Sequence, residues 1–225
     1  MKNSCLIILL LLLFGNIQAQ DLSGAYGYNR KPQGNPPKTE ANRGPAGTLV
    51  LLKMDGNKYR FWLDLTTGWP DYAVGETDGT ITFVNDTASF DNTFENAINN
   101  CVLHFKKTGN SISITSMAPS FNCGFGNGVV ADDEYPRLKM QPVLNNDWLK
   151  KEYGQSPATV VSSAHAEVFQ DENCMHSFTP KKYFVKGDSI LSIAEQDKSV
   201  YTEYIPSPGK FVYGWIRKSD LNMQH

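Results

Sequence analysis

The 225-residue chain lacks an excess of either charge: 21 Lys and Arg stand against 23 Asp and Glu. Nothing in that balance steers it electrostatically onto nucleic acid or an anionic membrane. It also lacks a second long apolar run. The one it has, Leu6 to Phe14, follows Lys2 and leads into Ile17-Gln18-Ala19. A positive start, an apolar stretch and a small residue in that order mark a signal peptide over residues 1–19. The run is short for a bilayer span. The expectation is an exported protein, periplasmic or secreted, with no stable membrane insertion. Cys5 precedes the apolar stretch instead of following it, which argues against a lipid anchor there. No internal repeat relates the two halves, and helical periodicity is almost absent.

Cysteine is scarce, with 4 in all. After removal of the signal, Cys101, Cys123 and Cys174 remain, and in an oxidising compartment two of them are expected to pair. Cys101 and Cys123 lie on neighbouring segments joined by a hairpin-like Lys-Thr-Gly-Asn-Ser, so they are the pair, with Cys174 a spare thiol in a loop.

What the chain does have is a succession of short β-branched and aromatic runs separated by turn residues. Asp55-Gly56-Asn57 predicts a hairpin between Thr48–Met54 and Lys58–Leu63. Asp78-Gly79 predicts another between Tyr72–Thr77 and Thr80–Val84. Thr87–Phe90, Cys101–Phe105, Ser111–Thr115 and a closing strand near Val129, Tyr135 and Leu138 follow. Phe94 to Asn99 is the best helical turn in this half. Such spacing predicts an all-β protein whose first domain, residues 20–143, is an antiparallel β-barrel or sandwich. Residues 144–159 read as a linker with a short helix capped by Asn145-Asn146-Asp147, ending in Gly154-Gln155-Ser156-Pro157. A second β domain, 160–225, begins with Ala166–Phe169.

Candidate chemistry is thin. His104 alternates along a strand as a surface residue. Cys174-Met175-His176 places a thiol near an imidazole, but a cysteine hydrolase needs a helix-borne cysteine and a separate catalytic domain, and the sequence shows neither. A single Cys-x-His is a poor zinc signal. Asp132-Asp133-Glu134 lacks the alternating ligand spacing of calcium loops, and Gly124-x-Gly126-x-Gly128 opens no helix and so fails as a phosphate loop. No catalytic residue, metal or cofactor is therefore expected. The remaining candidates are aromatics beyond what a small core needs: Trp62, Trp69, Tyr72, Tyr201, Tyr213 and Trp215. Tyr201 and Tyr213 alternate with core positions and are expected to pair across one outer face.

Two resemblances add to this. Ser23-Gly24-Ala25-Tyr26, the Cys101-x-Leu103-x-Phe105 strand and Cys123-Gly124-Phe125-Gly126 leading to Tyr135 look like the small secreted bacterial β-barrels that include periplasmic lysozyme inhibitors. Over the last sixty or so residues, Lys186-Gly187-Asp188, Val200 to Tyr204 and Gly214-Trp215-Ile216 resemble a bacterial SH3-type domain. That resemblance implies a small barrel with Ile190, Ile193, Val200, Thr202 and Ile216 in its core, and a ligand such as cell-wall peptide. Eukaryotic proline-peptide binders have aromatic and proline groove residues where Ser199, Arg217 and Asp220 stand here, so proline-rich ligands are not implied. The reading is an exported, non-enzymatic binding protein of the bacterial cell envelope, its partner peptidoglycan or an envelope or foreign protein. The alternatives are an inhibitor or immunity protein against a lysozyme-like or toxin hydrolase, and a cysteine hydrolase using Cys174 and His176.

Overall fold

The computed structural model describes residues 21–92, 100–117, 120–154 and 158–222. The expected signal segment, the helical turn at Phe94–Asn99 and Gln155–Pro157 of the expected linker lie outside them. The protein is all-β, with four antiparallel sheets and one short α-helix among the described residues.

Among the described residues the first unit has eight strands: β1 (Gly24–Asn29), β2 (Ala46–Lys53), β3 (Lys58–Thr66), β4 (Val74–Thr82), β5 (Thr87–Asp91), β6 (Val102–Thr108), β7 (Ser111–Ser116) and β8 (Asp133–Pro136). They form two four-stranded meanders, β1-β2-β3-β4 and β5-β6-β7-β8. The outer strands approach each other through a bridge between Tyr26 and Arg137, and Leu138 N donates to Ala25 O at 2.9 Å. This nearly closes the unit around a core that includes Leu49, Leu51, Phe61, Leu63, Phe105 and Tyr135. Cys101 and Cys123 are joined by a disulfide at the edge of that core.

The hairpin at Asp55-Gly56-Asn57 forms as expected, Lys58 N donating to Asp55 O. Asp78-Gly79 does not make a turn. Both residues lie in the middle of the nine-residue β4, paired with Trp62 and Phe61. Gly79 is there because the Phe90 ring packs on the strand: a Cβ would stand 2.4 Å from its edge. The turn instead falls at Asn85-Asp86, with φ of 49° and 62°, the left-handed pair that a two-residue type I′ hairpin requires. Val84 and Thr87 exchange both backbone hydrogen bonds across it.

Helix α1 (Asn146–Glu152) connects to the second unit; the Asn145 side chain accepts from Trp148 N at 2.9 Å, the expected cap. The second unit comprises β9 (Ala158–Val161), β10 (His165–Phe169), β11 (Ser177–Val185), β12 (Ser189–Leu191), β13 (Ala194–Glu195), β14 (Ser199–Ser207), β15 (Lys210–Arg217) and β16 (Leu221–Asn222). They form the sheets β11-β10-β15-β14-β13 and β12-β9-β16. The first strand is thus β9, ahead of the expected Ala166–Phe169, because Thr159 and Val161 alternate inward and pair with β12 and β16. The Lys186-Gly187-Asp188 turn forms, Asp188 Oδ2 accepting from Val185 N at 2.9 Å. Ile190, Val200 and Ile216 share a core with Val168 and Phe184. Ile193 does not join it but packs on the other side of the sheet.

A third core lies between the two units. Leu49-Val50-Leu51-Leu52 is apolar without alternation, which fits a strand covered on both faces. Leu49 and Leu51 enter the first unit's own core, while Val50 and Leu52, with Ala25 and Trp62, face outward. There they meet Leu149 of α1 and Leu191, Ile205, Phe211 and Tyr213 of the second unit. Each large side chain so buried contributes about 1.5–3 kcal/mol.

Candidate functional site

Strand alternation on β14 and β15 places Tyr201, Glu203 and Ile205 on one face with Phe211, Tyr213 and Trp215. Tyr201 is opposite Trp215 and Glu203 opposite Tyr213. The expected aromatic face therefore exists, but the first unit covers most of it. Trp62 and Tyr213, expected to be open, are 3 % and 8 % exposed and belong to the seam core. Trp62 is packed edge-on by Trp148 at 5.1 Å, and Tyr213 donates to Asp55 Oδ2 at 2.6 Å across the seam. Tyr201 and Trp215 are half-buried against each other, ring centroids 5.5 Å apart. Burial pushes the Tyr201 phenol well above its ordinary range. The correction has a plain cause: aromatics in excess of one small core were serving a second core.

A polar cluster sits inside this seam. Arg60 Nε lies 2.9 Å from Glu203 Oε1, and Arg60 Nη2 donates to the Tyr153 hydroxyl at 2.6 Å. That hydroxyl donates in turn to Glu203 Oε2 at 2.6 Å, and Arg60 also pairs with Asp78. Glu203 is fully buried. Burial pushes its carboxyl and the Tyr153 phenol up. Burial disfavours the guanidinium too, but Glu203, Tyr153 and Asp78 outweigh that and hold it charged. Beside it, burial and the nearby Asp64 and Glu76 push Glu152 up to about 7. Sequence reading missed this cluster. Its one signal was Arg60, a charge set between Tyr59 and Phe61 in β3.

Trp69 and Tyr72 fare differently. They lie in the loop after β3, and the loop is tightly tied. Gly68 N donates to Thr66 Oγ1, Ala73 N to Thr67 Oγ1 and Trp69 N to Arg43 O. Gly68 (φ 64°) packs so closely on the 43–44 backbone that a Cβ would fall 2.4 Å from Arg43 O. Tyr72, 43 % exposed, donates to Glu40. Trp69 borders a cleft of about 360 Å³ with Tyr28, Arg30, Gln33, Thr67 and Asp133. Arg30 Nη2 donates to Asp133 Oδ1 at 2.6 Å and its guanidinium sits 5.2 Å over the Tyr28 ring. Tyr28 leans edge-on against Tyr135 at 5.2 Å. Tyr28 and Arg30 were not among the expected site residues; the Tyr26-Gly27-Tyr28 alternation within β1 hinted at Tyr28 alone. A second, smaller cleft of about 230 Å³ opens on the seam beside Lys58, Gln170, Tyr201 and Tyr213.

The Cys174 region forms a cleft of about 730 Å³, with Lys198, Arg217 and Lys218 among its walls. The thiol is buried, and burial pushes its pKa up, the opposite of what a nucleophile needs. His176 Nδ1 lies 3.0 Å from Asp171 Oδ2. Two carboxylates of the acidic triplet are already engaged, Asp133 with Arg30 and Asp132 Oδ1 with Ser116 N at 3.1 Å. In the Gly124–Gly128 loop Phe125 plugs the first unit's core. His104 is exposed and hydrogen-bonded to Ser89 Oγ at 2.7 Å. Among the described residues, no group of three or more His, Cys, Asp or Glu is placed to hold a metal ion, and no helix is long and apolar enough to cross a membrane.

Comparison with protein-family models, with curated proteins and with solved structures gives no match for this chain.

Proposed function

We propose that this protein is an exported, non-enzymatic binding protein of the bacterial cell envelope, with peptidoglycan as its ligand. The observation that carries the reading is the Trp69 cleft, an aromatic-walled, cross-bonded recess of about 360 Å³ on a rigid β scaffold. Pre-formed clefts with an aromatic wall and a few fixed polar groups are the usual architecture of a small-ligand site. Three features of the sequence support the setting: the signal-like start, the disulfide-compatible cysteine pair and the resemblance of the last sixty residues to a bacterial SH3-type module. The buried, high-pKa thiol of Cys174 weighs against the hydrolase alternative.

The test is co-sedimentation of the purified protein with purified, protein-free peptidoglycan. Retention well above that of an unrelated β-rich protein of similar charge is expected. Equal recovery of both in the supernatant sinks the reading.

One observation favours a second reading, an inhibitor or immunity protein. Tyr72, Val74 and Val130 are exposed apolar side chains on the segments bordering the cleft, a rim suited to a protein surface. It predicts a stoichiometric complex with a wall hydrolase by size-exclusion chromatography and loss of that enzyme's activity. If no wall hydrolase tested is bound or inhibited, this reading falls.

A further inference from the structure

The walls of the Trp69 cleft narrow its ligand further. Its cationic residue, Arg30, is neutralised by Asp133 at 2.6 Å, and Asp132 adds a second carboxylate. With two carboxylates against one guanidinium, the cleft has no charge to offer a phosphate or a carboxylate ligand. What it offers is one ring and a set of fixed hydrogen-bonding groups. Tyr28 is already capped by the Arg30 guanidinium, which leaves the half-buried Trp69 as the other ring on the cleft wall. Arg30 and Asp133 orient each other, so the remaining guanidinium N–H groups and the second carboxylate oxygen stand at fixed positions. Gln33, exposed on the facing loop, adds an amide. Thr66 and Thr67 each use their hydroxyl oxygen as acceptor for a loop N–H, so each hydroxyl is held in place.

A planar aromatic face beside paired, pre-oriented donors and acceptors, with no net positive charge, matches a sugar ring. One face of a pyranose is lined with C–H groups and stacks on an indole, while its hydroxyls and amide, each both donor and acceptor, meet planar side chains at the rim. We propose that this cleft binds a neutral N-acetylhexosamine chain, its apolar face on Trp69 and its polar edge on Arg30, Asp133 and Gln33. This rests on the peptidoglycan reading and deepens it: the element recognised is the glycan strand, not the stem peptide. The loop needs no rearrangement to receive it, since Gly68, Trp69 and Ala73 are already held by the bonds to Thr66, Arg43 and Thr67, and a pre-formed site spends less of its binding energy on ordering.

The experiment uses the purified chain and a β-1,4-linked tetramer of N-acetylglucosamine, followed by tryptophan fluorescence and calorimetry. Saturable binding is expected, weakened about tenfold or more by Trp69→Ala, as for a central aromatic anchor. Gln33→Ala, at an exposed position, is expected to weaken it severalfold without affecting folding, so the proposal does not hang on the Trp69 variant alone. Tyr183→Ala, at an exposed position on the other unit, is expected to leave it unchanged. No saturable binding at tetramer concentrations up to about 10 mM, or equal affinity in the Trp69→Ala and Gln33→Ala variants, overturns the proposal. If intact peptidoglycan is retained while the tetramer is not bound, the glycan assignment fails and the envelope-binding reading stands. If neither is bound, both fail.

Discussion

Trp62 and Trp69 are seven positions apart, on β3 and on the loop that leaves it, yet one is sealed in a core and the other borders an open cleft. Trp62 points from the outer face of the first sheet at the place where α1 and the second unit lie against it. Trp69 sits past the end of that strand, and its cleft is lined by first-unit residues alone. The same residue type thus serves packing or recognition according to whether another element covers it. The polar groups divide in parallel. Arg60 at the seam is buried with Glu203 and Tyr153, whereas Arg30 at the cleft is 62 % exposed on its side chain and pairs with Asp133 at the surface.

That contrast can be broken most sharply at the seam. Glu203→Ala leaves Arg60 buried beside Tyr153 with its main counter-ion gone, and should cost about 3–5 kcal/mol in urea denaturation. If the loss is below about 1 kcal/mol, the seam is not a load on folding. Trp62→Ala should be comparable, about 3–5 kcal/mol, because it opens a cavity where the two units meet. Both losses should come in one cooperative transition; two separated transitions in the wild type would show that the shared core does not couple the units. Replacing Cys101 and Cys123 together by Ser should cost about 3 kcal/mol for a loop of this size, and 4,4′-dithiodipyridine titration of the unfolded wild type should count one free thiol, that of Cys174, once the signal segment is removed.

The fourth effect depends on pH. Glu152 has its pKa raised from 4.5 to about 7 in the folded protein by burial and by Asp64, Glu76 and Asp78, partly opposed by Lys151. The folded state therefore holds this proton more tightly than the unfolded chain. The stabilisation is fully present below about pH 4.5 and is lost as pH rises through about 7. Asp64, raised by burial and by Glu76, acts in the same direction. Glu152 is only half-buried, so the effect is discounted to about 1–2 kcal/mol. Glu152→Gln should flatten the fall in melting temperature between pH 5 and 8; an unchanged slope removes Glu152 as its source. Smallest of all, Trp69→Ala, at a half-buried position beside an open cleft, should cost no more than about 1 kcal/mol, in contrast with Trp62→Ala, and a loss near that of Trp62→Ala would place Trp69 in a core and not at a site.

Much of the local structure was legible in the residues. The β-rich class, the hairpins at Asp55-Gly56-Asn57 and Gly109-Asn110, the cap at Asn145 and the disulfide pair all follow from short-range rules, and all are present. Asp78-Gly79 misled because Gly has two uses that look alike in sequence. It permits a turn, and it also makes room for a neighbouring ring, here Phe90, contributed by the next strand. The candidate aromatics divided along the same line. Tyr72 is exposed, Trp69 is half-buried at the wall of a cleft, Tyr201 and Trp215 are half-buried against each other, and Trp62 and Tyr213 are core. The unalternating Leu49-Val50-Leu51-Leu52 was the signal that the first unit's outer face is covered.

By itself the sequence determined what is local: period-two strands, the turns between them, a helix cap, and a cysteine pair close along the chain. These depend on residues within a few positions of one another, or on neighbouring hairpins. Only the tertiary structure decided which aromatics are free. Exposure is a property of what lies on the far side, and for Trp62 and Tyr213 that is a helix or a unit far away along the chain. The placement of Arg60 against Glu203, and of Arg30 against Asp133, was decided in the same way, by strands that meet only once the fold is complete.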